Sequence, residues 1–159
     1  MRSDNKESVI DHPEILPATD AERIWAADLL SVSEPWTTLG ISRELCLKNC
    51  QDPEFVVYVA HLNNIPAGFF ILDLRGMASS PYIKSIAVSP EYRNRRLGSA
   101  LLTFAEDTAR KTSRHMFLCV SSFNLNARRF YERLGYEAVG ELKDYLIKGE
   151  SEIIIHKNL

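Results

Sequence analysis

Between Tyr82 and Val120 the chain reads strand, basic loop, helix, strand, and no other stretch limits the fold as strongly. Tyr82-Ile83-Lys84-Ser85-Ile86-Ala87-Val88 has the β-branched and apolar density of a buried strand, and Ser89-Pro90-Glu91-Tyr92 is a turn. Leu97, Leu101, Phe104, Ala105, Thr108 and Ala109 follow the i, i+4, i+7, i+8 rhythm of a helix face laid on a sheet. That helix closes among Arg110, Lys111 and Ser113, where cations suit the negative end of the dipole. His115-Met116-Phe117-Leu118-Cys119-Val120 is a second buried strand, and a helix crossing between two strands makes them parallel. The chain is therefore read as α/β with a mixed sheet.

The start of the long helix is unusual. A helix N-terminus carries unpaired N–H groups and about half a positive charge, so its first turn favours acidic or neutral residues. Here Arg93-Asn94-Arg95-Arg96 crowds it instead. Amides and guanidinium groups together suit a phosphate, although a solvated basic loop has the same sequence.

Downstream, Phe123 to Tyr136 predicts a short helix capped by Asn124 or Asn126 and closed by Gly135, with Ala127, Phe130, Tyr131 and Leu134 as its apolar stripe. With these two segments the sequence resembles the GCN5-related N-acetyltransferase (GNAT) superfamily. Asn124, Ala127, Tyr131, Gly135 and Tyr136 match the family pattern N-x-x-A-x-x-x-Y-x-x-x-G-F/Y. Arg93 and Gly98 match its earlier pattern R/Q-x-x-G-x-G/A, which Arg96 breaks by standing where the family usually has glycine. Two motifs in the right order, each on its predicted element, make a specific signal. The likeness is good from about residue 55 to 140 and loose before that.

The resemblance implies a GNAT fold, a central mixed sheet of six to seven strands flanked by about four helices. It implies acetyl-CoA as cosubstrate and no metal. The backbone of Ile86, Ala87 and Val88 is expected to bind the pantetheine arm, and Arg93, Asn94, Arg95, Arg96, Leu97, Gly98 and Ser99 the pyrophosphate, with Asn124 also on the cofactor side. Tyr131, a phenol of ordinary pKa near ~10, is expected to protonate the departing CoA thiolate. An N–H of Val88 or a neighbour is expected to stabilise the oxyanion.

Some family members carry a glutamate base on the strand after the long helix, where this chain has Cys119. Asp73, Glu34 and Glu137 are then the carboxylates left to consider, while Cys119 as an acetyl-accepting nucleophile lacks a histidine beside it in sequence. Glu34, Trp36, Asp73 and Tyr145 are the acceptor-side candidates, and Pro35-Trp36 is loosely similar to the ribosomal-protein alanine acetyltransferase branch. The acceptor is expected to be a small-molecule amine or a peptide N-terminus. The alternative is a catalytically degenerate acetyl-CoA sensor or partner subunit.

With 159 residues, a polar tail at 1–11 read as disordered and one N-acetyltransferase domain at 12–159 are expected. Ile15 to Asp20 reads as an edge strand running into a helix capped by Thr19 or Asp20, and Ser33 to Gly40 as a loop before a second helix capped by Ser42. Phe55–His61 and Ala67–Leu74 form a hairpin through Asn63-Asn64; Tyr136–Val139 and Ile153–Ile155 are later strands, with a polar hairpin at Lys143–Glu150 between them. A net charge of −2 argues against nucleic acid as a partner, and the absence of a long apolar run argues against a membrane. Three cysteines without a disulfide framework suit a reducing compartment, so a cytoplasmic location is expected, and family members are often homodimers.

Overall fold

In the computed structural model, which describes residues 12–159, strand β1 (Glu14–Pro17) runs into Thr19, which starts α1 (Asp20–Ser31) with a reciprocal cap. Thr19 Oγ1 accepts from the Glu22 amide at 3.2 Å and the Thr19 amide donates to Glu22 Oε2 at 2.9 Å. Ser42 Oγ caps α2 (Arg43–Gln51) through the Leu45 amide. Next come β2 (Val56–Leu62) and β3 (Ile65–Met77), joined through Asn63 and Asn64, whose φ angles of 50° and 63° suit a two-residue hairpin. Then follow β4 (Ser80–Val88), a 3-10 turn at Pro90–Tyr92, α3 (Leu97–Arg110), β5 (His115–Ser121), α4 (Leu125–Arg133), β6 (Glu137–Lys143) and β7 (Ser151–Asn158). The expected tail at 1–11 lies outside the described residues.

Several strands run longer than expected, among them β3, which is Ile65–Met77 where Ala67–Leu74 was expected, and β7, which is Ser151–Asn158 where Ile153–Ile155 was expected; β6 differs as well. β6 was expected at Tyr136–Val139 but begins one residue later and runs on to Lys143. It is an outer strand paired only with β7, so polar Glu141 and Lys143 cost nothing there and hide it from an apolar pattern.

The seven strands lie in the order β1-β2-β3-β4-β5-β7-β6. All neighbours are antiparallel except β4 and β5, which α3 separates in sequence. The mixed sheet with four α-helices is the expected fold. Alternate residues of β3 show how the sheet divides two cores: Phe69 and Ile71 pack with Ala26, Leu30, Cys46 and Cys50 of α1 and α2, whereas Phe70 and Leu72 pack with Leu101, Leu102 and Ala105 of α3. α3 approaches closely at Gly68, where an added Cβ would stand 2.9 Å from Leu101 Cδ1 and 3.0 Å from the Ala87 carbonyl oxygen.

β4 is irregular in two places, and both shape the surface beside it. Ile71 faces Ser85 but Leu72 faces Ile83, so Lys84 is an extra residue in a bulge of the central strand. And β4 pairs with β5 only at Tyr82↔Phe117 and Ile83↔Leu118. Beyond those pairs the two parallel strands part, while β5 stays paired with β7 from His115↔Asn158 to Ser121↔Glu152.

Candidate active site

Where β4 and β5 part, a cleft of about 320 Å³ opens. Tyr82 to Ile86 form one wall, Leu118 to Ser121 another, and Ala127 and Tyr131 of α4 close one side. The α1–α2 loop contributes Glu34, Pro35, Trp36, Leu39 and Ile41. A second cavity of about 360 Å³ continues past Ile86, Ala87 and Val88 to Arg93. Glu34, Ile86 and Asn124 line both, so the two form one groove along the free edge of β4. A strand edge without a neighbouring strand offers backbone N–H and C=O groups to an extended ligand.

At the far end of that groove stands the arginine loop. Arg93 Nε donates to the Val88 carbonyl at 3.2 Å, tying the loop to the end of β4. Arg95 lies 5.7 Å from the Tyr92 ring centroid. Arg96 is the N-cap of α3 with φ 60° and ψ 16°, makes no side-chain cap, and no acidic residue occupies the first turn. The amides of Leu97, Gly98 and Ser99 are therefore uncapped at the positive end of a 14-residue helix. Gly98 packs on Phe130, which would stand 3.5 Å from an added Cβ.

Tyr131 sits on α4, which starts where Asn124 Oδ1 accepts from the Ala127 amide and ends at Gly135 with φ 89°. Its ring packs edge-on against Phe130 and Tyr136 and is 6% exposed, and burial pushes its phenol well above the ordinary range. No hydrogen bond joins its hydroxyl to another described residue, and no fully buried side-chain polar atom among them lacks a partner. The hydroxyl, on a residue that lines the cleft, is consequently neither fully enclosed nor hydrogen-bonded, and it is neutral at pH 7.

The acceptor-side candidates fare unequally. Glu34 and Trp36 line the cleft. Thr37 Oγ1 donates to Glu34 Oε1 at 2.6 Å and the Thr38 amide to Oε2 at 3.4 Å, which holds its carboxyl below the usual range and makes it a weak base. Asp73, opposite Tyr82 on β3, accepts from the Arg75 amide and does not line the groove. Tyr145 is 63% exposed, and its neighbour Leu146 reaches the cleft instead. Glu137 faces His156 on the outer strand, away from the cleft. Burial pushes the Cys119 thiol up, so it is protonated and poorly nucleophilic at pH 7. Among the described residues no group of three or more His, Cys, Asp or Glu could hold a metal ion, and no helix is long and apolar enough to cross a membrane.

The model of the Acetyltransferase (GNAT) family matches residues 18–136, which takes in both motifs and most of the groove, while its lining residues Leu146 and Glu152 lie beyond the match. The chain is a member of the GNAT acetyltransferase family. An uncharacterized N-acetyltransferase of Methanocaldococcus jannaschii is 33% identical over 95 residues, 56% of this chain and 42% of that protein, so the match spans less than half of the relative's length. A GNAT family acetyltransferase of Elizabethkingia anophelis, solved with acetyl-CoA bound, superposes with a TM-score of 0.76 at 22% identity, covering 94% of this chain and 99% of the other. The ribosomal-protein-S18-alanine N-acetyltransferase of Escherichia coli superposes at 0.73 with 22% identity, covering 92% and 94%. At that identity the two structures show a shared fold.

Arg96 is the main departure from the GNAT pattern. The loop keeps the left-handed backbone that glycine adopts readily and places an arginine in it, at a cost of about 1 kcal/mol. Arg96→Gly removes that cost but adds glycine's unfolded-state entropy, about 0.5–1 kcal/mol. Stability by urea unfolding is therefore expected to stay within about 1 kcal/mol of the parent, whereas Arg96→Ala keeps the strain and gains nothing. A large loss of stability in Arg96→Gly would mean that the side chain braces the loop.

Residues that sequence reasoning passed over also line the cleft: Tyr82, Lys84, Ser121, Leu146 and Glu152. Glu152 is the one with a signal, a carboxylate beside the apolar run Ile153–Ile155 and on the face of Ile154. That β7 inserts between β5 and β6, bringing Glu152 to Ser121, was not readable from that signal.

Proposed function

We propose that this GNAT protein transfers the acetyl group of acetyl-CoA to a primary amine. The observation that carries the reading is the parting of β4 from β5 after two residue pairs, between an arginine-flanked helix N-terminus and a free phenol. In this reading the pantetheine arm takes the place of the missing strand along Ile86, Ala87 and Val88. The pyrophosphate rests on the loop and helix start from Arg93 to Ser99, where two negative charges meet uncapped amides and guanidinium groups. Asn124, at the junction of the two cavities, borders the thioester end.

The amine enters from the side of Glu34 and Trp36 and attacks the thioester carbon. A backbone N–H near Val88 receives the developing oxyanion. Tyr131 gives its proton to sulfur as the C–S bond breaks. The acceptor is a small amine or a peptide N-terminus. The alternative, a sensor that binds acetyl-CoA without turnover, draws partly on Arg96 in place of glycine, and the left-handed backbone at that residue, a conformation open to glycine, weakens it.

Release of free thiol from acetyl-CoA, followed across alkylamines, polyamines and peptides with free N-termini, tests the reading. Turnover on at least one class is expected. Saturable acetyl-CoA binding with no turnover on any class would favour the sensor.

A further inference from the structure

Among the described residues two carboxylates are below 10% exposure, Glu106 of α3 at 5% and Glu152 of β7 at 8%, and they are treated very differently. Glu106, on α3, is fully compensated. Lys157 Nζ donates to its two oxygens at 2.9 and 3.1 Å, the Tyr136 hydroxyl donates at 3.0 Å, and Arg110 lies 3.8 Å away. Glu152, on β7, has one side-chain partner among the described residues, the Ser121 hydroxyl, which donates to Oε1 at 2.6 Å. Among those residues no Lys, Arg or His forms an ion pair with it.

A buried carboxylate without a cation is costly, and such groups gather where a ligand supplies the missing charge. Glu152 Oε2 has no hydrogen-bond partner among the described residues, yet none of their fully buried side-chain oxygens is unsatisfied, so Oε2 opens into the cleft that Glu152 lines. Trp36, Leu39 and Ile41 line the same cleft and give it an apolar part beside its polar groups. Across the sheet, Leu142 of β6 faces Glu152 and brings no charge.

We propose that Glu152, held by Ser121, receives the acceptor's ammonium group and takes its proton, so that the missing base of this enzyme comes from β7. This rests on the acetyltransferase reading. The proton balance is complete with groups already named. The ammonium gives one proton to Glu152 and becomes the amine, whose lone pair forms the C–N bond. The C–S bond then breaks, its electron pair goes to sulfur, and sulfur takes the Tyr131 proton. The second proton of the attacking nitrogen returns through solvent to the Tyr131 oxygen, and the Glu152 proton passes to bulk water as the one proton released per turnover.

The other titratable groups of the cleft do not compete for the role. Lys84 is cationic and lies 4.4 Å from the Phe55 ring centroid. Glu34 is engaged by Thr37 and Thr38. Burial raises the Tyr82 phenol, with Cys119 and the charge of Glu152 adding to it, and burial likewise raises Cys119 and Tyr131, so all three hold their protons at neutral pH.

The test compares pH profiles of kcat/KM for the parent, Glu152→Gln and Ser121→Ala, with propylamine, spermidine and a tripeptide as acceptors. Glutamine keeps the shape and can still accept from Ser121. At pH 7.5, Glu152→Gln is expected to lower kcat/KM by about 100-fold. With propylamine and spermidine that deficit is expected to narrow to within about tenfold near pH 9.5, where an alkylamine of pKa ~10 begins to lose its proton to solvent, and with the tripeptide, whose α-amino group has pKa ~8, to narrow about two pH units lower. Ser121→Ala is expected to show a smaller deficit with the same trend, and acetyl-CoA affinity by calorimetry is expected to match the parent in both variants. A deficit equal at every pH, or none, overturns the assignment of Glu152 while leaving the acetyltransferase reading intact. Absence of turnover by the parent itself overturns both.

Discussion

Tyr131→Phe is expected to slow acetyl transfer by about 10²–10³-fold while leaving acetyl-CoA affinity almost unchanged. Tyr131 lines the cleft and its phenol makes no hydrogen bond to another described residue, so its loss removes nothing from the fold except a contact with solvent or ligand. Phenylalanine keeps the edge-on packing against Phe130 and Tyr136, so the melting temperature should move by no more than about 2 °C. Without an acid at sulfur, the thiolate must leave unprotonated or wait for water. The deficit should therefore shrink with an acetyl thioester whose leaving thiol is more acidic. Steady-state kcat and calorimetric titration with acetyl-CoA separate the two effects. An unchanged kcat would take Tyr131 out of the chemistry and return it to the core stripe of α4.

Lys157→Met is expected to be the most damaging single change to stability, by about 3 kcal/mol, because it leaves Glu106 buried without its main counter-charge. For a domain of this size that corresponds to a fall in melting temperature of roughly 10 °C. Arg110, at 3.8 Å and half exposed, is too far and too solvated to replace the ammonium. Pairing the change with Glu106→Gln should recover much of the loss, since the desolvated charge is then gone from both sides. Thermal unfolding of the two single variants and the double variant measures the coupling. Additive losses would show that Lys157 stabilises by packing over Tyr136, whose ring centroid lies 5.5 Å from its Nζ, and not by meeting the buried charge.

The tyrosine that ends the later motif has a structural role of its own. Tyr136 is buried, donates to Glu106, and ties the end of α4 to α3 through one carboxylate that Lys157 shares from β7. Three elements meet at Glu106. The element that presents Tyr131 to the cleft is thereby fixed relative to the helix that starts at the arginine loop.

What the sequence alone determined is local and periodic. Apolar spacing marks α3, the β-branched runs mark β4 and β5, and Thr19, Ser42 and Asn124 cap the helices expected of them, because each of these signals acts within one or two turns of chain. The parallel relation of β4 and β5 was legible too, since parallel neighbours need a crossover such as α3, although helices between strands do not by themselves decide the sense: β1 and β2 pair antiparallel across α1 and α2. What only the tertiary structure decided is non-local. The order β5-β7-β6 places the last strand inside the sheet, a choice made by the burial of Ile153 and Ile155 against the α3 side and by no feature of β7 taken alone. That choice brings Glu152 to Ser121 and Lys157 to Glu106, pairs separated by 31 and 51 residues. The left-handed backbone at Arg96 was likewise not legible, because local propensity favours glycine in that conformation and the sequence places an arginine there.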